Sequence, residues 1–206
     1  MKTLPCIVNV GLPRTGTTSF ARATEMLGFK SLHIWKPGEH NPEILKQFRA
    51  NVRDVRRIVE QYHTLSDTPF YALRETFEHY YPDTLILYTT RPKPDWIESM
   101  VKYQVAGGQF LANLYRMPRF PYTVADKDLL SHLYDTHHAA VCQGLPSINI
   151  GENDDRPKWE LLCSALPNPR EMMERARHLK WPHANQFQQT NAQNDTGKAS
   201  VQSQCS

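Results

Sequence analysis

No stretch of this chain approaches the roughly 18 consecutive apolar residues that a membrane-spanning helix requires. The run Cys6 to Val10, behind Met1 to Pro5, is too short for the apolar region of a secretory signal. Cysteine is scarce and scattered. Cys6, Cys142, Cys163 and Cys205 form no close pair at metal-ligand spacing, so free thiols in a reducing, cytoplasmic compartment and no metal are expected. Strong charge is lacking too: a formal net charge of +3 suits a small anionic ligand but falls short of a nucleic-acid-binding surface. Internal repeats are absent. What remains is ordinary globular composition, 40% hydrophobic and 22% charged, in 206 residues, which is enough for one domain with a sizeable core. Nothing in the sequence indicates the oligomeric state.

Pro5 to Val10 reads as a short buried strand stopped by Gly11. Thr18 to Leu27 places Phe20, Ala23 and Leu27 on one helical face, with Gly28 as a C-terminal stop. Ser31 to Trp35 reads as a second strand. Asn41-Pro42 opens a helix to about Tyr62, and Thr68-Pro69 repeats that cap-plus-proline signal for a helix through Phe70, Leu73, Phe77 and Tyr80. Thr84 to Thr90 is continuous, apolar and β-branched, the mark of a central parallel strand. Helix follows over Asp95 to Tyr103, then a loop or lid over Gly107 to Tyr122, helix over Asp126 to Gln143, a strand over Ser147 to Ile150 and a last helix over Pro157 to Leu166. The alternation predicts an α/β fold: three α/β/α layers, a mostly parallel sheet, similar to P-loop NTPases. The domain spans residues 1–184. Residues 185–206, rich in Gln, Asn and Ser, form an expected disordered tail.

The chemistry concentrates in Gly11-Leu12-Pro13-Arg14-Thr15-Gly16-Thr17-Thr18, between a predicted strand and a predicted helix. A loop entering a helix presents backbone N–H groups and the positive dipole end, which together hold a phosphate. A triphosphate-binding loop would carry Lys directly after the second glycine, where this chain has Thr17. The segment Tyr88-Thr89-Thr90-Arg91 also lacks the strand-end Asp that would hold magnesium. The loop's cation is Arg14. A second cation, Arg91, leaves the end of the strong strand, and Ser99 follows on the next helix; Arg as a fork and Ser as a hydroxyl donor can meet one phosphate.

These two segments resemble the PAPS-dependent sulfotransferases, specifically their short single-domain members. Pro13-Arg14-Thr15-Gly16-Thr17-Thr18 is similar to the family's 5′-phosphosulfate loop, and Arg91 to Ser99 to its 3′-phosphate motif. Tyr81-Pro82-Asp83, His137 to Val141, Ser147 to Ile150, Lys158 to Cys163 and Pro182-His183-Ala184-Asn185 extend the resemblance over most of residues 5–185. It implies PAPS as co-substrate, held by Arg14, Thr15, Gly16, Thr17, Thr18, Arg91 and Ser99, with sulfuryl transfer to a hydroxyl or amine of a small-molecule acceptor. Two features depart from the family. Ser19 stands where many cytosolic members have a Trp that stacks on adenine, and their glycine-rich C-terminal segment has no counterpart here. Trp35 and Trp96 are the aromatic candidates for that stacking.

By the same resemblance Arg14 is catalytic, neutralising charge on the oxygen that bridges sulfur and phosphate. The acceptor needs a general base. Asp67 in Ser66-Asp67-Thr68-Pro69 occupies the place of the family's His, although Asp before Thr-Pro is also a common helix cap. His33 is the second candidate. Adjacent helical residues point about 100° apart, so His137 and His138 read as helix surface rather than a metal pair. Two other readings stay open: a P-loop kinase or NTPase, and a nucleotide-binding protein without catalysis.

Overall fold

The computed structural model describes residues 5–33, 52–105 and 127–183. Its framework is five short strands: β1 (Ile7–Asn9), β2 (Ser31–His33), β3 (Thr64–Ser66), β4 (Leu85–Thr90) and β5 (Ser147–Asn149). All pairings are parallel and the order across the sheet is β2-β3-β1-β4-β5. Val8 sits between Leu65 and Ile86, and Thr89 faces Ile148. The strong strand β4 is interior and parallel, but the middle position belongs to β1.

Side chains alternate across a strand, so each strand feeds two cores. Ile7 and Leu87 face α1 (Thr17–Met26), meeting Phe20, Ala23 and Leu27 on one side of the sheet. This layer is completed by Trp159 and Leu162, carried on a later helix, Arg156–Ala165. Val8, Leu65 and Ile86 face the other way, against Ile58 and Val59 of α2 (Val52–Val59) and Phe77 of α3 (Arg74–Tyr80). A third cluster joins Trp96 and Met100 of α4 (Lys93–Val105) to Leu130 of α5 (Lys127–His137). The fold is therefore three-layer α/β/α. Two further helices close the described chain: α6, the Arg156–Ala165 helix, and α7 (Pro169–Ala176).

The structure differs from the sequence reading in four places. Strand β3 escaped it because Thr64, Leu65 and Ser66 form a three-residue segment with polar ends, yet pairing on both sides buries it completely. The helix expected directly after Thr68-Pro69 begins at Arg74 instead, with a 3₁₀ turn over Phe70–Ala72 in between. The third difference lies at the end of α5, which continues as a π-helical turn over His138–Cys142. Helix α7 was also not anticipated; its Met172 and Ala176 are buried in the first core. The start of the Asn41 helix, Trp35, the lid at 107–122 and the tail at 185–206 lie outside the described residues. No described helix is long and apolar enough to cross a membrane.

Because all five strands run the same way, their C-terminal ends meet on one edge of the sheet. The chain winds from β1 outward to β2, returns through β3, then crosses β1 to reach β4. That reversal opens a crevice at the carboxyl ends of β1 and β4, the usual ligand position in open α/β sheets.

Candidate active site

The described candidate segments gather at that edge. The loop 11–16 follows β1, His33 ends β2, Asp67 follows β3, and Arg91 follows β4.

The loop is held by buried polar groups. Asn9 Oδ1 accepts the N–H of Gly11 at 2.9 Å and that of Thr89 at 3.0 Å, while its Nδ2 donates to Thr89 Oγ1 at 3.1 Å. Gly11 passes so close to β4 that a Cβ would stand 2.5 Å from the Thr89 carbonyl oxygen. Thr15 Oγ1 donates to the Leu12 carbonyl at 2.6 Å and lies 3.0 Å from Thr89 Oγ1, so its hydroxyl shapes the loop from within. Trp96 donates its indole N–H to the Pro13 carbonyl at 2.9 Å and is buried. It braces the loop and is removed as a candidate for stacking on adenine.

At the N-terminus of α1, Gly16 adopts φ 103° and lacks a side chain to satisfy the first amides of the helix. A Cβ there would lie 2.5 Å from Cγ2 of Ile150. Only glycine fits. The backbone N–H groups, dipole end and threonine hydroxyls of this cradle match the chemistry of a phosphate or sulfonate.

The two predicted cation motifs are brought together. Arg14, itself left-handed at φ 70°, donates Nε–H to Ser99 Oγ in the second turn of α4 at 3.1 Å. Arg91 is half-buried. Its guanidinium proton is loosened first by that burial and next by the charge of Arg14, with Asp95 acting in the opposite sense. The two guanidinium groups thus repel one another, Arg91 from a partly desolvated position, and a nearby anion would relieve that repulsion. The backbone of Arg91 is fixed by Tyr134, whose hydroxyl donates to the Arg91 carbonyl at 2.7 Å. Tyr134 stacks on His138 with ring centroids 3.9 Å apart.

On the far side of the loop, Asp67 and His33 form a pair where the sequence offered alternatives. His33 Nε2 lies 3.2 Å from Asp67 Oδ2, and both residues are 6% exposed. Asp67 has φ 71°, and its Oδ1 accepts the Thr68 N–H at 2.8 Å. The same Nε2 is 3.1 Å from Thr17 Oγ1 and 3.2 Å from Thr18 Oγ1, so the pair touches the loop directly. Asp67 does not cap α3, which starts seven residues later. Tyr71 stands nearby; burial and then the charge of Asp67 push its phenol well above the ordinary range, keeping it neutral.

His137 corrects the surface reading. It is buried, donating Nε2–H to the Val10 carbonyl at 2.9 Å, and desolvation pushes its pKa down to about 4. Asn9, Thr89, Tyr134 and His137 were missed in the sequence. A detectable signal existed for Asn9, since an amide inside an apolar strand must find partners. Among the described residues no cluster of three or more His, Cys, Asp or Glu is arranged to hold a metal.

Comparison with known proteins agrees with this geometry. A family model described as a sulfotransferase domain matches residues 6–190. The "Ava biosynthesis cluster protein M" of Aspergillus versicolor is 30% identical over 106 residues, covering 46% of this chain. The match spans 41% of that curated relative's length, less than half of it. With the loop, the two arginines and the parallel sheet in place, the chain belongs to the sulfotransferase domain family.

Proposed function

We propose that this protein is a sulfotransferase that takes its sulfuryl group from PAPS and passes it to a hydroxyl or amine of a small-molecule acceptor. The observation that carries this reading is the hydrogen bond from Arg14 of the first loop to Ser99 of the Arg91–Ser99 segment, beside a glycine-only helix start. Thr17 in place of a loop Lys, and Arg91 in place of a strand-end Asp, favour this donor over a magnesium triphosphate.

The residues divide the work. The amides at the start of α1, with Thr17 and Thr18, hold the 5′-phosphate end, and Thr15 and Gly16 give the loop its path. Arg91 and Ser99 hold the 3′-phosphate. When bound, PAPS supplies the sulfuryl group and its nucleotide part is the leaving group. Arg14 is placed to neutralise charge that builds on the leaving oxygen; losing such a donor commonly costs about a hundredfold to a thousandfold in turnover. Asp67 accepts the proton of the acceptor.

Titration calorimetry with PAP, ATP and ATP-magnesium tests the reading. PAP is expected to bind most tightly, without divalent metal. Tight ATP binding that requires magnesium, with no PAP binding, would favour a kinase or NTPase and overturn it. PAP binding with no transfer to any of a panel of phenols, alcohols and amines would favour a protein that binds the nucleotide without catalysis.

A further inference from the structure

His33 Nε2 faces three oxygens: Thr17 Oγ1 at 3.1 Å, Thr18 Oγ1 at 3.2 Å and Asp67 Oδ2 at 3.2 Å. One nitrogen carries at most one proton. If Nε2 were bare it would accept from a threonine, but its lone pair would then face an ionised carboxylate. A protonated Nε2 avoids that repulsion and donates to Asp67, because a charged acceptor makes the stronger hydrogen bond. The imidazole then takes no proton from Thr17, whose O–H is left to donate elsewhere in the loop.

The carboxylate is therefore held at both ends. Oδ1 takes the Thr68 N–H at 2.8 Å and Oδ2 takes the imidazole. Both partners are rigidly placed: His33 is the last residue of β2, and its strand neighbour Ser66 is next to Asp67. The link joins the acceptor side of the site to the donor loop, across adjacent strand ends.

We infer that His33 is a positioning residue, whose single Nε2–H sets the orientation of the Asp67 carboxylate and keeps the Thr17 hydroxyl proton for the donor. This rests on Asp67 being the base. It makes His33 a partner of Asp67 rather than its competitor for that role.

The test uses the amide side chains. A glutamine places its NH₂ near the position of Nε2, whereas an asparagine reaches only to about Nδ1. Single-turnover transfer is measured for H33Q, H33N, H33F, D67N and the double variant H33F/D67N, with PAP affinity by calorimetry. H33F and H33N are expected to lose roughly tenfold or more in the transfer rate while PAP affinity changes less than about threefold. H33Q should recover most of that loss, and H33F should cost almost nothing further once Asp67 is Asn. Equal losses in H33Q and H33N, or losses that multiply in the double variant, would overturn the inference while leaving Asp67 as base. Unimpaired transfer in D67N would remove the base assignment itself, and the inference with it. Should H33F fail to fold, the comparison of H33Q with H33N decides, since both are polar and of similar size.

Discussion

Arg14 and Asp67, two of the residues on which the proposed chemistry depends, both hold left-handed backbone, at φ 70° and 71°. Non-glycine residues hold this conformation at a cost of about 1–2 kcal/mol, and Asn and Asp tolerate it best. Asp67→Asn keeps a residue type that tolerates this backbone and loses one of two buried acceptors, so it should cost about 1 kcal/mol in denaturant titrations, and Asp67→Ala, which loses both, more. Transfer should fall by roughly a hundredfold in both, so that stability and activity separate. If Asp67 acted only as a local cap, Asn would preserve transfer. Arg91 makes a different prediction, because a guanidinium fork on the 3′-phosphate has no equivalent in Lys. Arg91→Ala should weaken PAP strongly and adenosine 5′-phosphosulfate little, since the latter lacks that phosphate. Equal losses would assign Arg91 a structural task.

Between β1 and α1, loop shape rests on contacts to other elements. Gly16 meets Ile150 beyond β5, Gly11 and Thr15 meet Thr89 of β4, and Pro13 is held by Trp96 of α4. Gly16→Ala forces a methyl group against Ile150 and a side chain into φ 103°. A loss of about 2 kcal/mol or more in stability, with PAP binding reduced in parallel, is the expected outcome. Trp96→Phe keeps an aromatic ring in the third core but removes the N–H that the Pro13 carbonyl accepts, along with part of the indole's volume. Losing that part-buried hydrogen bond, together with the trimmed ring, should cost about 1–3 kcal/mol, read from chemical denaturation. A variant as stable as the parent would show that the brace is dispensable.

Across the domain, acid stability depends on histidine burial. His137 is neutral in the core, its pKa pushed from 6.5 to about 4 chiefly by desolvation. The unfolded chain takes up a proton near pH 6.5, while the folded protein resists it down to about pH 4. Its contribution is therefore complete above pH 6.5 and is lost as pH falls through that window. The loss can reach about 3 kcal/mol, at 1.36 kcal/mol per pKa unit. His137→Gln, which keeps a donor for the Val10 carbonyl, should flatten the decline in melting temperature between pH 6.5 and 4. An unchanged pH profile would show that other groups govern acid unfolding.

The alternation of strands and helices, the glycine loop between β1 and α1, and the Arg91–Ser99 spacing were all legible along the chain. Each is a local pattern: periodicity, a glycine turn, or a strand-end arginine with a serine eight residues on. β3 was not legible, because a three-residue strand with Thr and Ser at its ends has no local signature and exists only through pairing on both sides. The His33–Asp67 contact was invisible for a related reason. The two residues are far apart in sequence and become neighbours because β2 and β3 lie side by side in parallel register. Composition and motif determined the fold class, the family and the loop proposed to serve its chemistry. Strand order decided which side chains share the crevice, because a parallel sheet gathers every strand's C-terminal residue on one edge whatever their separation along the chain.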